Sequence, residues 1–233
     1  MATVKRDERL QQGLIAAGLF LLLIWLIKAV EVLSGADLSV LGVRPNELSG
    51  LWGVAFAPLI HGSLSHLAAN SVGVLVLVAA LFYGYPNSRW RVLLLVWAGA
   101  GLGVWLFGRD SLHFGASGLT HGLFFFLFLV SLLRRDKRSI ALMMIAFFLF
   151  GGMIYSIFPR EPGISYESHF SGAVAGVIAA LLWWRADPKP PVKRYDWEDN
   201  DEEDEAIGDL WQSSVPPQTP GHSDHHDDAS RGQ

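Results

Sequence analysis

Ser117 lies among small residues and has the surroundings that a catalytic nucleophile needs. Its neighbours Gly115, Ala116 and Gly118 would let a substrate backbone approach closely. If a helix begins at Ser117, its free N–H groups and positive dipole end would also stabilise a developing oxyanion. The motif alone is weak evidence, and it differs from the G-x-S-x-G nucleophile elbow of α/β-hydrolases.

Two histidines could act as the base that a serine nucleophile needs within about 3 Å. His121 follows Ser117 by four residues, so the two side chains would share one face of a helix. His169 is distant in sequence, and it could serve only if a second helix packed closely against the first. The spacing leaves both histidines open as the base.

Paired glycines would permit such a close approach of two helices. Gly118 and Gly122 form a GxxxG pair that begins directly after the serine, and Gly172 and Gly176 form another that begins three residues after the second histidine. Small residues at this spacing let two helix backbones touch within a membrane. Each pair alone is common in ordinary packing, but its coincidence with a serine or a histidine favours a shared site.

A third polar pair consists of His66 and Asn70, which are also four residues apart. Neither side chain is acidic, and an imidazole N–H with an amide NH₂ could donate two hydrogen bonds to a negative oxygen. Either residue taken alone would more often cap a backbone or hold neighbouring helices.

The elements that carry these residues are strongly apolar. Hydrophobic residues make up 51% and charged residues 17% of the 233 positions, whereas a soluble domain has about 25% charged residues. Six stretches suit membrane-spanning helices, and none shows the alternation of a barrel strand. We predict an all-α polytopic membrane protein, with a six-helix domain over residues 13–187. The predicted spans are residues 13–33, 66–84, 91–107, 117–133, 139–158 and 169–185.

Positive charge predicts the orientation of the spans. Thirteen Lys and Arg residues lie in the N-terminal segment, the second and fourth loops and the C-terminal segment, against three in the other loops. The positive-inside rule places both termini, including an N-terminal tail over residues 1–12, in the cytoplasm. Spans two, four and six then begin on the outer side, so all three polar groups lie a turn or two below the outer surface.

Two segments lie outside the predicted spans. Residues 34–65 form a long outer loop that mixes aromatic residues with Gly and Pro, and we expect it to lie at the membrane interface. Residues 189–233 carry 12 acidic residues and 4 Lys or Arg. We predict a disordered acidic cytoplasmic tail over residues 188–233, because such a run cannot bury a core. Its histidines could bind a metal weakly; they are His222, His225 and His226.

Composition excludes several classes of protein. The chain has no cysteine, which rules out disulfides, thiolate metal sites and cysteine nucleophiles. Residues 1–188 carry 14 Lys or Arg against 10 Asp or Glu, which leaves no basic face for nucleic acid. A transporter would be expected to carry acidic residues deep in its spans, and the predicted spans carry none at depth, which argues against that class. A haem or zinc protein is disfavoured by the absence of an HExxH motif, and we predict no metal or cofactor.

Together these motifs resemble those of the rhomboid family of intramembrane serine proteases. The resemblance covers about residues 13–185, in the right order and topology. It is specific because three spaced motifs match at once, whereas any one alone would be weak. The matching residues are His61, His66 and Asn70 at span two, Gly115 to Gly118 at the start of span four, and His169 to Gly176 at the start of span six.

The resemblance implies a catalytic dyad in which Ser117 is the nucleophile and His169 is the general base. It further implies an oxyanion hole formed by the backbone N–H of Ser117 with the side chains of His66 and Asn70. His61 would be a structural residue that ties down the first outer loop. No metal or cofactor takes part.

By the same resemblance, the substrates are membrane-anchored proteins, cut at or just inside their transmembrane segments. The enzyme would lie in a bacterial cytoplasmic membrane, with its active site toward the outer side. Span five and the loop 159–168 would move to admit substrate. The alternative is a non-catalytic rhomboid-like binding or quality-control factor, and the retention of both Ser117 and His169 argues against it.

Three features depart from the family pattern. Many members carry a tyrosine that stacks on the base one turn after the serine, and His121 occupies that position here. The Trp-Arg pair of the first loop reads Trp52-Gly53. No carboxylate holds an obvious third position beside the dyad, and we expect Glu167 to lie on a loop surface.

Overall fold

The computed structural model describes residues 2–159 and 163–190, and side chains from residue 8 onward. Within these ranges the chain is helical, and its one extended pairing is an antiparallel bridge between Val43 and His113. The acidic tail beyond residue 190 and its three histidines lie outside the described residues, and so do residues 160–162 of the loop predicted to move.

Eight α-helices are present in the described ranges. The long loop between α1 and α3, residues 35–63, adds 3₁₀ turns at Leu38–Leu41, Leu48–Leu51 and Ala57–Leu59. The helices are α1 (Ala2–Ser34), α2 (Trp52–Phe56), α3 (Leu64–Gly84), α4 (Arg89–Phe107), α5 (Ser117–Arg134), α6 (Lys137–Phe150), α7 (Met153–Ser156) and α8 (Tyr166–Trp183).

Short polar side chains determine where three of these helices begin. Ser63, Asp136 and Ser165 each accept a hydrogen bond from a backbone N–H in the first turn of α3, α6 and α8. Such caps satisfy N–H groups that have no partner within the helix. At the other end of α5, Arg135 adopts a left-handed conformation with φ of 54° and ends the helix.

Among the residues that the structure describes, four helices are long and apolar enough to cross a membrane: residues Glu8–Ser34 of α1, and all of α3, α4 and α5. Large apolar side chains remain exposed on the outside of the bundle, among them Leu19, Leu94 and Phe148. A surface of this kind is suited to lipid rather than to water. The count of six spans stays a prediction, and so does the domain boundary at residue 187.

The helices differ from the predicted spans in two places. Helix α1 begins at Ala2, well before the first predicted span. The charged residues at its start have good helix propensity, so the helix continues beyond the apolar stretch. The predicted fifth span is interrupted at Gly151 and Gly152, so that α6 and the short α7 replace one helix. Since glycine weakens a helix interior, this break is consistent with the local sequence.

Helix α5 lies at the centre of the bundle. It packs most extensively against α8 and also contacts α3, α4 and α6, whereas α1 packs on the outer side of α3. The buried core follows α5 on several sides, with Leu119, Leu123, Phe126 and Leu127 almost fully enclosed. A polar group carried at the start of α5 is therefore held by neighbours on most sides.

One buried arginine, Arg134, joins two segments at one end of the bundle, residues 131–139 and 184–188. Arg134 pairs with Asp136 at 2.8 Å and donates to the carbonyl oxygens of Trp184 and Asp187 at 2.9 and 2.8 Å. The planar guanidinium suits several acceptors at once. It connects the ends of α5 and α8 to the start of α6.

The long loop between α1 and α3 is folded and attached to α4. Trp105 donates from Nε1 to the Glu47 carbonyl at 2.8 Å, and Trp97 donates to the Val54 carbonyl at 3.1 Å. Gly53 lies against the backbone of Gly42 and Val43, where a Cβ would overlap main-chain atoms. A glycine is therefore required at the position where the family pattern carries an arginine.

Candidate active site

Ser117 is the first residue of α5, as the sequence predicted. The chain reaches it through Gly115, whose φ of 119° is a conformation that other residues rarely adopt. The backbone N–H of Gly115 donates to the Ala57 carbonyl oxygen at 2.8 Å. The partly buried Ser117 side chain thus lies at a helix N-terminus that the long loop between α1 and α3 holds in place.

The two GxxxG pairs face each other between α5 and α8. A Cβ added at Gly172 would overlap the Gly118 carbonyl oxygen, and one added at Gly176 would overlap the Gly122 carbonyl oxygen. The helix backbones are therefore in direct contact over two turns. This contact begins immediately beyond Ser117 on one helix and His169 on the other.

The rings of His121 and His169 are stacked. Their centroids lie 3.8 Å apart with an angle of 8° between the ring planes. Both side chains are buried, with 4% and 7% of each residue exposed. Nδ1 of His121 lies 2.6 Å from the carbonyl oxygen of Ser117. The structure thus brings together Ser117, the ring one turn further along α5, and the ring carried by α8.

No direct hydrogen bond joins the Ser117 hydroxyl to His169 in the described part of the chain. Nδ1 of His169 instead lies 3.0 Å from the carbonyl oxygen of Ser156, at the end of α7. A carbonyl oxygen only accepts, so this contact puts the proton on Nδ1 and leaves Nε2 with its lone pair. That is the protonation state a general base needs.

His66 and Asn70 both lie in the first two turns of α3. The His66 ring covers the backbone of Gly115, so close that a Cβ at residue 115 would come within 2.8 Å of ring atom Cε1. Asn70 is buried and donates to the His66 carbonyl at 3.0 Å. His66 is therefore beside the segment leading to Ser117, and Asn70 lies one turn further along the same helix.

His61 connects the long loop between α1 and α3 to the segment that leads to Ser117. Its Nε2 accepts a hydrogen bond from the Ala116 N–H at 3.4 Å, and its carbonyl oxygen accepts one from Lys28 of α1 at 2.8 Å. Burial lowers the pKa of His61 to about 4, which agrees with a neutral ring that accepts at Nε2. Lys28 is itself buried and pairs with Glu31 at 2.9 Å.

The expectation for Glu167 was wrong. It is not on a loop surface but in the first turn of α8, with 7% of the residue exposed. Its Oε1 lies 3.3 Å from Nε of Arg109 and 3.4 Å from the Arg109 backbone nitrogen. His113 completes the group through a 2.6 Å contact between its Nδ1 and the Ser165 hydroxyl. These contacts tie the loop before α5 to the start of α8. The expectation failed because local spacing could not reveal a partner 58 residues away.

Sequence reasoning missed two residues of the site. Ser156 was hidden in a stretch interpreted as a span, although a polar residue in an apolar run is itself a signal. Lys28 lies within the first predicted span, and in the structure it donates to the His61 carbonyl oxygen, 33 positions away in the chain. The Ser156 hydroxyl contacts Nε2 of His121, 35 positions away.

Within the described residues the chain is an all-helical bundle with apolar helices long enough to cross a membrane, and Ser117 begins a helix beside a buried, stacked pair of histidines. The chain belongs to the rhomboid family: residues 48–186 match the family model described as the Rhomboid domain. The resemblance inferred from the three spaced motifs is thereby confirmed.

Three bacterial proteins are similar to this chain. A protein of Mycobacterium tuberculosis, whose name assigns it no function, is 38% identical over 173 residues, covering 70% of this chain and 72% of its own. A Mycobacterium leprae protein is 33% identical, over 70% and 68% of the two chains. A Bacillus subtilis protein that bears the provisional name rhomboid protease YdcA is 28% identical, over 62% and 73%.

Proposed function

We propose that this protein is an intramembrane serine endopeptidase that cleaves membrane-anchored proteins with a Ser117–His169 dyad. The observation that carries the proposal is the stacked pair of histidines. Nδ1 of His121 contacts the Ser117 carbonyl oxygen, and the His169 ring is stacked on the His121 ring. Among the described residues, Nε2 of His169 makes no hydrogen bond, so its lone pair remains available. Catalytic hydrogen bonds are often long in the absence of substrate and tighten when it binds, so the dyad does not require a Ser117–His169 bond in the free protein.

In the first half of the reaction, Ser117 Oγ attacks the scissile carbonyl carbon while its proton passes to Nε2 of His169. The Ser117 N–H and the side chains of His66 and Asn70 stabilise the resulting oxyanion. Nε2–H then protonates the departing amine, and an acyl-enzyme remains. A water molecule next attacks the ester carbon, its proton goes to Nε2, and transfer of that proton to Oγ releases the acid.

A membrane-spanning substrate must unwind before this reaction can occur, because its backbone is hydrogen-bonded within its own helix. The proposed substrates are therefore membrane-anchored proteins with helix-breaking residues near the cleaved bond. We further propose that both termini face the cytoplasm of a bacterium and that the dyad opens toward the outer side.

The chemistry can be tested by labelling the purified protein in mild detergent with a fluorescent fluorophosphonate and locating the adduct by peptide mass spectrometry. We expect the adduct on Ser117, its loss in Ser117→Ala, and a loss of at least about a hundredfold in labelling rate in His169→Ala. Cleavage of a transmembrane reporter should follow the same order. If the wild-type protein neither labels nor cleaves, the dyad is wrong and a non-catalytic role as a membrane-protein binding factor takes its place.

The orientation can be tested separately, since the chain has no cysteine. Single cysteines at Asp110 and at Lys137, both exposed, can be treated in intact cells with a maleimide that does not cross membranes. The proposal expects reaction at residue 110 only, and reaction at residue 137 only would reverse the orientation.

A further inference from the structure

Ser156, at the end of α7, contacts both histidine rings of the site. Its hydroxyl lies 2.7 Å from Nε2 of His121, and its backbone carbonyl oxygen lies 3.0 Å from Nδ1 of His169. A single residue of a four-residue helix thus reaches one ring carried by α5 and another carried by α8.

The direction of each hydrogen bond follows from the acceptors. The carbonyl oxygens of Ser117 and Ser156 cannot donate, so Nδ1 of His121 and Nδ1 of His169 each carry a proton. In the neutral ring of His121, Nε2 then accepts. The single proton of the Ser156 hydroxyl is therefore donated to Nε2 at 2.7 Å rather than to the Met153 carbonyl oxygen, which lies 3.1 Å away. His121 is therefore attached at both nitrogens, one to the start of α5 and the other to α7.

Stacking and hydrogen bonding have different effects on the His169 ring. A stacked neighbour keeps a ring in its plane but leaves it free to turn within that plane. The hydrogen bond at Nδ1 fixes the turn, and with it the direction of the Nε2 lone pair. The stack restrains His169 only if the His121 ring is itself held, and the Ser156 hydroxyl supplies one of its two attachments.

We propose that Ser156 is a positioning residue for His169, acting through its carbonyl oxygen directly and through its hydroxyl by way of His121. This inference rests on the proposed function of His169 as the base. It makes the activity depend on α7 remaining docked, because movement of this one short helix would break one hydrogen bond to each ring at once. Ser156 thus orients the histidine, which is the role of the carboxylate in the Ser-His-Asp triads of other serine hydrolases.

The side-chain part of this arrangement can be tested with Ser156→Ala. A neutral hydrogen bond contributes only modestly to a free energy. We therefore expect kcat and the fluorophosphonate labelling rate to fall by about three- to tenfold with KM unchanged. Ser156→Thr retains the hydroxyl and should stay within about twofold of wild type. The matched control is Ser131→Ala on α5. Ser131 is a buried serine whose hydroxyl donates to the Phe128 carbonyl oxygen, and it lies far along the helix from the site.

A double variant separates positioning from a general loss of structure. His121→Phe keeps a stacked ring but removes both of its hydrogen bonds. If the Ser156 hydroxyl acts through His121, adding Ser156→Ala to His121→Phe should change kcat by less than about twofold. Full additivity of the two substitutions would overturn the proposal, and so would a Ser156→Ala protein as active as Ser131→Ala.

A spectroscopic readout does not depend on turnover. In protein with ¹⁵N-labelled histidine, the Nε2 signal of His121, identified by its loss in His121→Phe, should show a hydrogen-bonded acceptor nitrogen and should shift in Ser156→Ala. An unshifted signal would refute the contact itself. A wild-type protein with this signal but with no labelling at Ser117 would instead refute the proposed function, so the two failures are distinguishable.

Discussion

Gly172 of α8 lies directly against the carbonyl oxygen of Gly118 of α5, with no room for a methyl group between the two backbones. The contact sets the distance between the helices at the level of Ser117 and His169. A larger residue at this point cannot rotate away, because main-chain atoms rather than a flexible side chain form the other surface. The proximity of the proposed nucleophile and base therefore depends on the absence of a Cβ.

The first prediction concerns Gly172→Ala. We expect it to lower the free energy of unfolding by about 2 to 3 kcal/mol, because the added methyl overlaps backbone, and to slow labelling at Ser117. The measurement is unfolding in detergent micelles, with the labelling rate recorded alongside. Gly18→Ala is the control, since a Cβ there meets nothing within 4 Å. A Gly172→Ala protein no less stable than this control would contradict the packing described.

The second prediction concerns the buried lysine of α1. Lys28→Met removes the partner of both Glu31 and the His61 carbonyl, and we expect a loss of about 3 kcal/mol because a carboxylate is left unpaired in an apolar setting. Lys28→Met with Glu31→Leu should recover about half of that loss. The test is the free energy of unfolding of the single and double variants. Equal losses in both would show that the unpaired carboxylate is not the cause.

The third prediction concerns Arg109 and Glu167, which join the loop before α5 to the start of α8. A double-mutant cycle with Arg109→Ala and Glu167→Gln should give a coupling of about 1 kcal/mol. The value is modest because the Arg109 side chain is 43% exposed and water screens the charge. The pair Arg44 and Glu47, exposed on both sides, is the control, with an expected coupling below about 0.5 kcal/mol. Similar couplings for both pairs would argue against a special role for the buried carboxylate.

The fourth prediction concerns pH and His61. Burial lowers the pKa of His61 to about 4, so protonation below the unfolded value of about 6.5 favours the unfolded chain. The stabilising contribution is complete above pH 6.5 and is lost as the pH falls toward 4. His61→Gln keeps an acceptor for the Ala116 N–H but does not titrate in this range. The free energy of unfolding, measured from pH 7 to pH 4, should therefore fall more steeply for wild type than for His61→Gln, and parallel curves would contradict the assignment.

Several features of the site could be predicted from the sequence because they are local. Serine at a helix start needs only its neighbours to be recognised, and the structure begins α5 at Ser117. The glycine pairs at 118 and 172 were visible as spacing, and the structure brings them into contact. The rhomboid family and the all-helical class follow from the same motifs and from apolar helix-length stretches. The roles of Ser117, His169, His66 and Asn70 stay predictions until they are tested.

Other features depended on contacts between distant parts of the chain. Glu167 was predicted at a loop surface but is buried in the first turn of α8, where Arg109 from the loop before α5 pairs with it. The break between α6 and α7 also changes the predicted fifth span, since it lets Ser156 turn toward both histidine rings. Hydrophobic periodicity reveals neither the Arg109–Glu167 pair nor the contacts of Ser156 with the two rings.

The sequence by itself determined that this is a helical membrane protein of the rhomboid family, because span length, charge placement and motif spacing are properties of short segments. Only the tertiary structure decided which groups hold the site: Ser156 for the two rings, Lys28 for His61, and Arg109 for Glu167. The physical reason is that a buried polar group requires a partner, and the fold rather than the neighbouring sequence brings that partner within reach.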